Sequence, residues 1–553
     1  MAGSFAAIGA WIVGMLLQFH PILLSRLSRM QSDWGDTRLN NYILEHGYRW
    51  LIGMPGHERF WSPPVFFPAP NTAAYSDVLL GVAPFYWPWR LAGLQPDTAF
   101  QLWLLTIATL NFLSALLLFS RGFRCRPVAS AIGAMLLSFA AVRTAQVMHA
   151  QLIAHFYLAL AILALLEIFE PEPELRASVT VVEPRTPWVL VFTLACVGQI
   201  YSSFYHSWYF CFALLIAAIW AIAMPGTRRR LLLTVRANLR AILASAVGAA
   251  LLLAPLANHY LQAEHQVGTR KFIVVETMLP RIQSWAYQGP DSWLYGWLAT
   301  HDAFHNLPME HEQRLGLGLA TIVCAGLGLW FGRRRRAVQF VVLVPLAMAI
   351  LATEWPGGFA PWHAIYLFVP GAAALRAVSR IGVALVFPAA LGVALLVDSI
   401  TRMRRIPPSR TAGVLRRRDR RTRALLAVLV TAVVVAEQVQ QPKWYDKNEG
   451  RARVLRVANG IGADCGAFLY TTTGGNDDPW HYHADAMWAS MMRGIPTLNG
   501  YSGNQPPRWT FYDIRVPTPY LDSVVSDSVS RWAARWRIDP ARICRVRTPP
   551  AAQ

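Results

Sequence analysis

Apolar windows recur along most of this chain. They lie near residues 5–24, 98–119, 128–145, 150–168, 188–206, 209–224, 240–257, 315–332, 337–353, 381–398 and 424–440. A hydrocarbon layer about 30 Å thick takes roughly 20 apolar residues of helix. About eleven such windows predict a polytopic α-helical membrane protein with about eleven transmembrane helices. Of the 553 residues, 54% are hydrophobic and 15% are charged, which excludes an ordinary soluble domain.

The net charge of +20 would suggest nucleic acid in a soluble chain. Here the basic clusters sit in every second connection: Arg121, Arg124 and Arg126, then Arg228 to Arg230, Arg333 to Arg336, and the run from Arg402 to Arg423. This is the positive-inside pattern, so no nucleic-acid partner is expected. It places the N-terminus in the cytoplasm. Loops 25–97 and 258–314 and the tail 441–553 then lie outside. No small-residue cleavage site follows the first window, so it reads as a retained helix. The expected division is a membrane module over 1–440 and an external C-terminal domain over 441–553. The tail has turn residues and β-like runs and is long enough for a small α/β domain. Cys465 and Cys544 both fall in it, either as a disulfide or as two free thiols. No CxxC or Cys/His zinc spacing occurs.

The first external loop is rich in tryptophan and proline, which suits an ordered loop on the membrane surface. Its start, Asp36 to His46, reads as a helix, with Leu39, Tyr42, Ile43 and His46 on one face. Segment 354–380 is too interrupted by Gly and Pro for a span and reads as a re-entrant or surface hairpin.

Candidate chemistry clusters near the external membrane face. Asp36 follows Trp34-Gly35 and lies close to Arg38. A carboxylate there suits a base that takes a proton from an acceptor hydroxyl. Asp77 is a second catalytic candidate, to orient the acceptor or help hold a cation; a turn cap is its plain alternative. Arg143, Gln146, His149, Gln151 and His155 form a polar group at a helix end, with Arg143, Gln146 and His149 spaced by three. Intramembrane ionisable residues are costly and so are functional candidates, although interfacial placement explains some of them. Arg38, Arg143, His149 and Gln151 are taken as substrate contacts. Asp36 with His149 is the candidate metal pair, for magnesium or manganese. External arginines run against the charge rule, so Arg270, Lys271, Arg281, Arg376 and Arg380 are phosphate candidates, with acidic loop residues as the alternative partners. In the tail, Asp477, Asp478, His481, His483 and Asp485 resemble a metal cluster in composition but suit a structural or sugar-contacting loop better. Asn499 to Asn504 reads as a tight turn whose polar groups could touch a glycan.

This layout resembles the GT-C superfamily of membrane glycosyltransferases. The stretches GDTRLNNYILEH, FFPAPNTAAYSDVLLGVAPFYWPWRL, VRTAQVMHAQL, VPGAAALRAVSRIGVAL and PTLNGYSGNQPP are similar to those of a bacterial branch related to the YfhO-like proteins. The resemblance implies a GT-C-like fold in a bacterial inner membrane. It also implies transfer of a hexosyl or pentosyl group from a polyprenyl-phosphate donor to a lipid, polysaccharide or protein acceptor outside. By that analogy Asp36 is the first-loop acidic residue, and Arg376 and Arg380 face the donor phosphate. Asp36 has no adjacent second acid, a departure that bears on metal dependence. Two other readings remain: a transporter or flippase of a lipid-linked or polar solute, and a non-catalytic glycan-binding member. A transporter should show internal repeats with broken helices at the midplane. None is visible in the sequence.

Overall fold

The computed structural model describes residues 2–169, 183–402, 412–473 and 478–548. Seven described helices are long and apolar enough to cross a membrane: Gly3–Leu24, Pro96–Gly122, Pro127–Ala145, Ala150–Phe169, Phe204–Ala223, Pro225–Val267 and Val378–Thr401. Three shorter apolar helices, Thr186–Ser202, Leu319–Gly332 and Arg336–Ala352, fall on further windows of the sequence. The last window falls on helix Ala412–Glu437. The chain is a multi-pass, mostly helical membrane protein. Part of the basic run, 403–411, lies outside the described residues, as does Asp477.

Helix Pro225–Val267 has 43 residues. At 1.5 Å per residue it is about 65 Å long, well beyond the bilayer core, so much of it stands clear of the apolar layer.

The basic connections gather at one end of the bundle. The Arg126 guanidinium donates to Thr401 O at 2.9 Å, Arg335 donates to Phe123 O at 3.2 Å, and Arg336 donates to Thr227 Oγ1 at 3.3 Å. The other end carries the long loops and the tail. There β1 (Arg29–Gln31) pairs antiparallel with β2 (Trp444–Asp446). The tail's β3 (Ala467–Thr472) and β4 (Ile543–Thr548) are parallel, flanked by helices Lys447–Asn459, Pro479–Arg493 and Pro519–Trp536. A disulfide joins Cys465 to Cys544, with Cα atoms 5.7 Å apart. The tail does not build its core alone. Tyr42, Val65, Phe66 and Ala69 of the first loop are buried in the same cluster as Phe468, Leu469 and Trp532.

Segment 354–380 stays on the loop side. Its helix Trp362–Phe368 has seven residues, about 10 Å, too short to span. Trp362 is fully buried against Tyr209 and Phe212 of helix Phe204–Ala223. Gly371 takes φ +79°, and its turn is held by Trp208 Nε1 donating to Pro370 O at 3.0 Å. Only a residue without Cβ adopts that backbone readily. The turn delivers the chain to Arg376 and Arg380.

Helices Leu319–Gly332 and Val386–Thr401 cross backbone to backbone. A Cβ on Gly328 would run into the Gly392 carbonyl, whereas one on Gly326 would meet nothing. Gly328→Val should therefore destabilise the protein by about 1–3 kcal/mol, and Gly326→Val should be close to neutral. Thermal unfolding of both variants in one detergent checks this.

Candidate active site

Helix Asp36–Leu51 begins where Asp33 turns back on it. The Asp33 carboxylate accepts the Asp36 N–H at 3.2 Å and the Thr37 N–H at 3.1 Å. Those are orphan donors of the first turn, and a negative charge there is favoured by the helix dipole. The cap fixes Asp36 at the helix mouth with its side chain a quarter exposed.

Four distant segments meet at that point. His149 Nδ1 lies 2.8 Å from Asp36 Oδ2. On the far side of the ring, an Arg380 terminal nitrogen lies 2.9 Å from His149 Nε2. Arginine only donates, so in the neutral ring Nε2 accepts and the proton sits on Nδ1, in close charge contact with Asp36 rather than in an aligned hydrogen bond. Arg380 also grips Glu312: Nε donates to Oε2 at 3.1 Å and the terminal nitrogen to Oε1 at 2.6 Å. Glu312 Oε1 is 3.4 Å from His149 Nε2, a carboxylate placed to stabilise the ring when that nitrogen is protonated. The Tyr501 hydroxyl donates to Asp36 Oδ1. Asp36 thus has both oxygens engaged.

The electrostatics follow from this chain. Burial pushes the Asp36 carboxyl up, but the close contact and charge of His149, then Tyr501 and Arg380, outweigh it and hold the group below its ordinary value. Burial and Arg380 push His149 down, yet Asp36 and Glu312 on its two sides raise its proton affinity above the usual imidazole value. Glu312 is buried, but Arg380 and His149 keep it ionised far below the normal carboxylate range.

Tyr501 arrives from the tail on a held loop. Asn499 accepts the Tyr470 N–H at 2.7 Å, and the Gly500 N–H donates to His483 Nδ1 at 3.3 Å. Ser502 bonds Ser76 at 2.8 Å, and Arg270 donates to Gly503 O at 2.7 Å. His483 is therefore a brace for this loop. It lies on helix Pro479–Arg493 with His481, where i, i+2 positions diverge. Asp485 bonds Arg38 and Arg453 instead.

The remaining candidates divide. Arg376 donates its backbone N–H to the Tyr205 hydroxyl at 3.2 Å, and its guanidinium has no ion-pair partner among the described residues. Its charge reaches Tyr501 and Arg270. Burial lowers the Arg270 pKa, and Arg376 lowers it further, a like-charge pair at the Tyr501 loop. Asp77 accepts the Phe204 N–H at 2.6 Å, at the start of helix Phe204–Ala223. Burial raises its pKa to about 6. That is a capping position, on a helix distant in sequence. Arg143 is buried with no carboxylate among the described residues; its Nε donates to Leu137 O at 2.6 Å, and one terminal nitrogen is unpartnered. Gln151 Oε1 is likewise unpartnered. Arg143, Gln146 and His149 do not share a helix face, because the helix ends at Ala145. Arg281 pairs with Glu354. Lys271 is exposed and Arg38 turns to Asp485, so neither joins the Asp36 cluster. Glu312 and Tyr501 do join it. In sequence Glu312 is one acid among several in its loop, and Tyr501 is one polar residue of a turn.

As arranged, Asp36 and His149 do not fit a divalent cation. Each uses its facing atom on the other, and Arg380 stands at the second ring nitrogen. Among the described residues no three His, Cys, Asp or Glu side chains form a metal-holding group. A cation would enter only by breaking the Asp36–His149 contact.

No protein-family model and no curated protein matches the chain. Among solved structures, the fold is similar to the apo oligosaccharyltransferase of Archaeoglobus fulgidus, with a TM-score of 0.50 and 12% identity over 90% of this chain. The chain spans 64% of the length of that protein. The archaeal oligosaccharyltransferase AglB in complex with an inhibitory peptide and a dolichol-phosphate gives a TM-score of 0.46 at 11% identity, covering 97% of this chain and 69% of that one. ArnT from Cupriavidus metallidurans in the apo state gives 0.41 at 12% identity, covering 90% and 89%.

The pH dependence of stability tests the Asp36–His149 coupling. Folding favours ionised Asp36, so its contribution is present above an unfolded pKa of about 3.9 and is lost as pH falls through the lower folded value. Folding favours protonated His149, so its contribution is complete below about 6.5 and is lost as pH rises through the higher folded value. The stability difference between wild type and His149→Gln should therefore be largest between about pH 4 and 6.5. A difference flat across pH 3–9 contradicts the coupling.

Proposed function

We propose that this protein is a membrane glycosyltransferase that takes a sugar from a polyprenyl-phosphate donor on the external face of a bacterial inner membrane. The observation that carries this reading is an ionised carboxylate, Asp36, bonded by Tyr501, and an arginine, Arg376, whose charge also reaches Tyr501 and which has no ion-pair partner among the described residues. The GT-C-like fold supports the reaction class, and the YfhO-like affiliation is part of the same reading. The division into a membrane module over 1–440 and an external domain over 441–553 belongs to it too.

In this mechanism the acceptor hydroxyl displaces the Tyr501 hydroxyl from Asp36 Oδ1. As the acceptor oxygen bonds the sugar's anomeric carbon, its proton passes to Asp36. The anomeric carbon–oxygen bond to phosphate breaks, and the electron pair leaves with the polyprenyl phosphate. Arg376 and Arg270 meet the charge growing on that phosphate, as fixed cations in a water-poor site do. His149, held by Arg380 and Glu312, orients Asp36 through Oδ2. Asp77 shapes the same neighbourhood by anchoring helix Phe204–Ala223. Arg143 and Gln151, with unpartnered buried atoms, are candidates for sugar contacts. No step is routed through a metal.

Membranes carrying the protein, incubated with radiolabelled polyprenyl-phosphate sugars and acceptor extract, test this. Asp36→Asn should lower the rate by roughly 10²–10⁴ at matched expression. A glycan-binding scaffold or a flippase would tolerate the change. Arg376→Gln should raise the donor KM by about 10-fold or more, the value of one charge-assisted contact. EDTA should leave the wild-type rate unchanged; a rate restored only by magnesium or manganese would instead place a cation at Asp36 and His149.

A further inference from the structure

A second cavity, of about 410 Å³, opens between the first-loop helix and the tail, on the side of helix Asp36–Leu51 away from Tyr501. Five cations line it: Arg38, Arg49, Arg90, Lys447 and Arg451. Among the described residues Asp97 is the one carboxylate in the lining. The ion pairs around the cavity are shared. Glu45 serves both Arg49 and Arg90. Asp97 serves Arg451 at 2.7 Å and Lys447 at 3.9 Å. Asp485 serves Arg38 at 2.7 Å and Arg453 as well. Five lining cations and Arg453 therefore face four carboxylates, the fourth being Asp446, whose charge reaches Lys447. Two positive charges remain over.

The surplus is poorly solvated. The Arg38 side chain is 7% exposed, and one of its terminal nitrogens has no hydrogen-bond partner among the described residues. Lys447 is 10% exposed. Burial, reinforced by Arg451 and opposed by Asp97 and Asp446, lowers its proton affinity. Leaving like charges together in a half-dry cavity is unfavourable unless something neutralises them. Guanidinium groups in a ring also offer the paired donors that phosphate and carboxylate take. The volume lies in the range of small-ligand sites. The mouth is wet: Arg451 is 44% exposed and Met492 51%.

We propose that this cavity binds an anion carrying two or more charges, a phosphate or carboxylate group on a soluble molecule or a lipid headgroup. The site is independent of the transfer reaction and uses none of Asp36, His149, Arg376 or Arg380.

Calorimetric titration of the purified full-length protein in detergent with inorganic pyrophosphate, at fixed ionic strength, tests it. Wild type should bind saturably, and glucose should not bind. The Lys447→Gln/Arg451→Gln double variant should bind at least 10-fold more weakly. Met492→Trp narrows the mouth without changing charge and should also weaken binding, which separates ligand loss from ion-pair loss. Arg376→Gln, which removes a phosphate contact of the transfer site, should leave in place the binding that the Lys447→Gln/Arg451→Gln variant loses. Repeating the titration in nanodiscs identifies the source. If phosphatidylglycerol but not phosphatidylcholine competes with pyrophosphate, the ligand is a headgroup; if neither competes, it is soluble, and both results support the site. Binding that is absent, equal in the double variant, or lost only in Arg376→Gln would overturn the proposal.

Discussion

The Arg380–Glu312 ion pair is the contact on which the rest of the site depends. Both side chains are nearly buried, at 5% and 2% exposure. Breaking such a pair leaves an uncompensated charge that costs several kcal/mol, so the two segments that carry it are tied firmly. One is the polar loop before helix Leu319–Gly332, and the other is the turn that follows Gly371. Arg380 then fixes the His149 ring, and His149 fixes Asp36. Three residues of different segments thereby hold one carboxylate at the mouth of the first-loop helix.

The tail completes the site from the other side. Tyr501 covers Asp36 from a loop braced by Asn499, His483, Ser76 and Arg270. Because the tail's core includes Tyr42 and Phe66, the loop and the carboxylate it covers belong to one packed unit. A neighbouring surface of the same unit carries the five-cation cavity. First loop and tail are thus joined by charge as well as by apolar packing, through Arg38–Asp485 and Arg451–Asp97.

Much of the fold was legible because bilayer thickness writes itself into sequence as apolar run length. Helix Asp36–Leu51 was legible from its 3.6-residue periodicity, and Asp36 from its place just past the first window. The partners of Asp36 were not legible. Tyr501 is 465 positions away, and no local pattern reports a contact at that separation. Glu312 sits among Glu310, His311 and Arg314, where each acid looks equivalent until the tertiary structure turns one toward Arg380 and another toward Arg314. The three-residue spacing of Arg143, Gln146 and His149 suggested a helix face, but the helix stops at Ala145, so Arg143 points into the bundle while His149 reaches Asp36. Arg376 and Arg380 looked like an i, i+4 pair. The short 3₁₀ stretch that begins at Val378 separates them instead, one to an ion pair and one without.

The most direct measurement of the central claim is photo-crosslinking with a polyprenyl-phosphate sugar that carries a diazirine on the sugar, followed by peptide mapping. The account predicts label in the peptides containing 33–40, 371–380 and 499–504, reduced by unlabelled donor. Label confined to helices and loops remote from these three segments would contradict it.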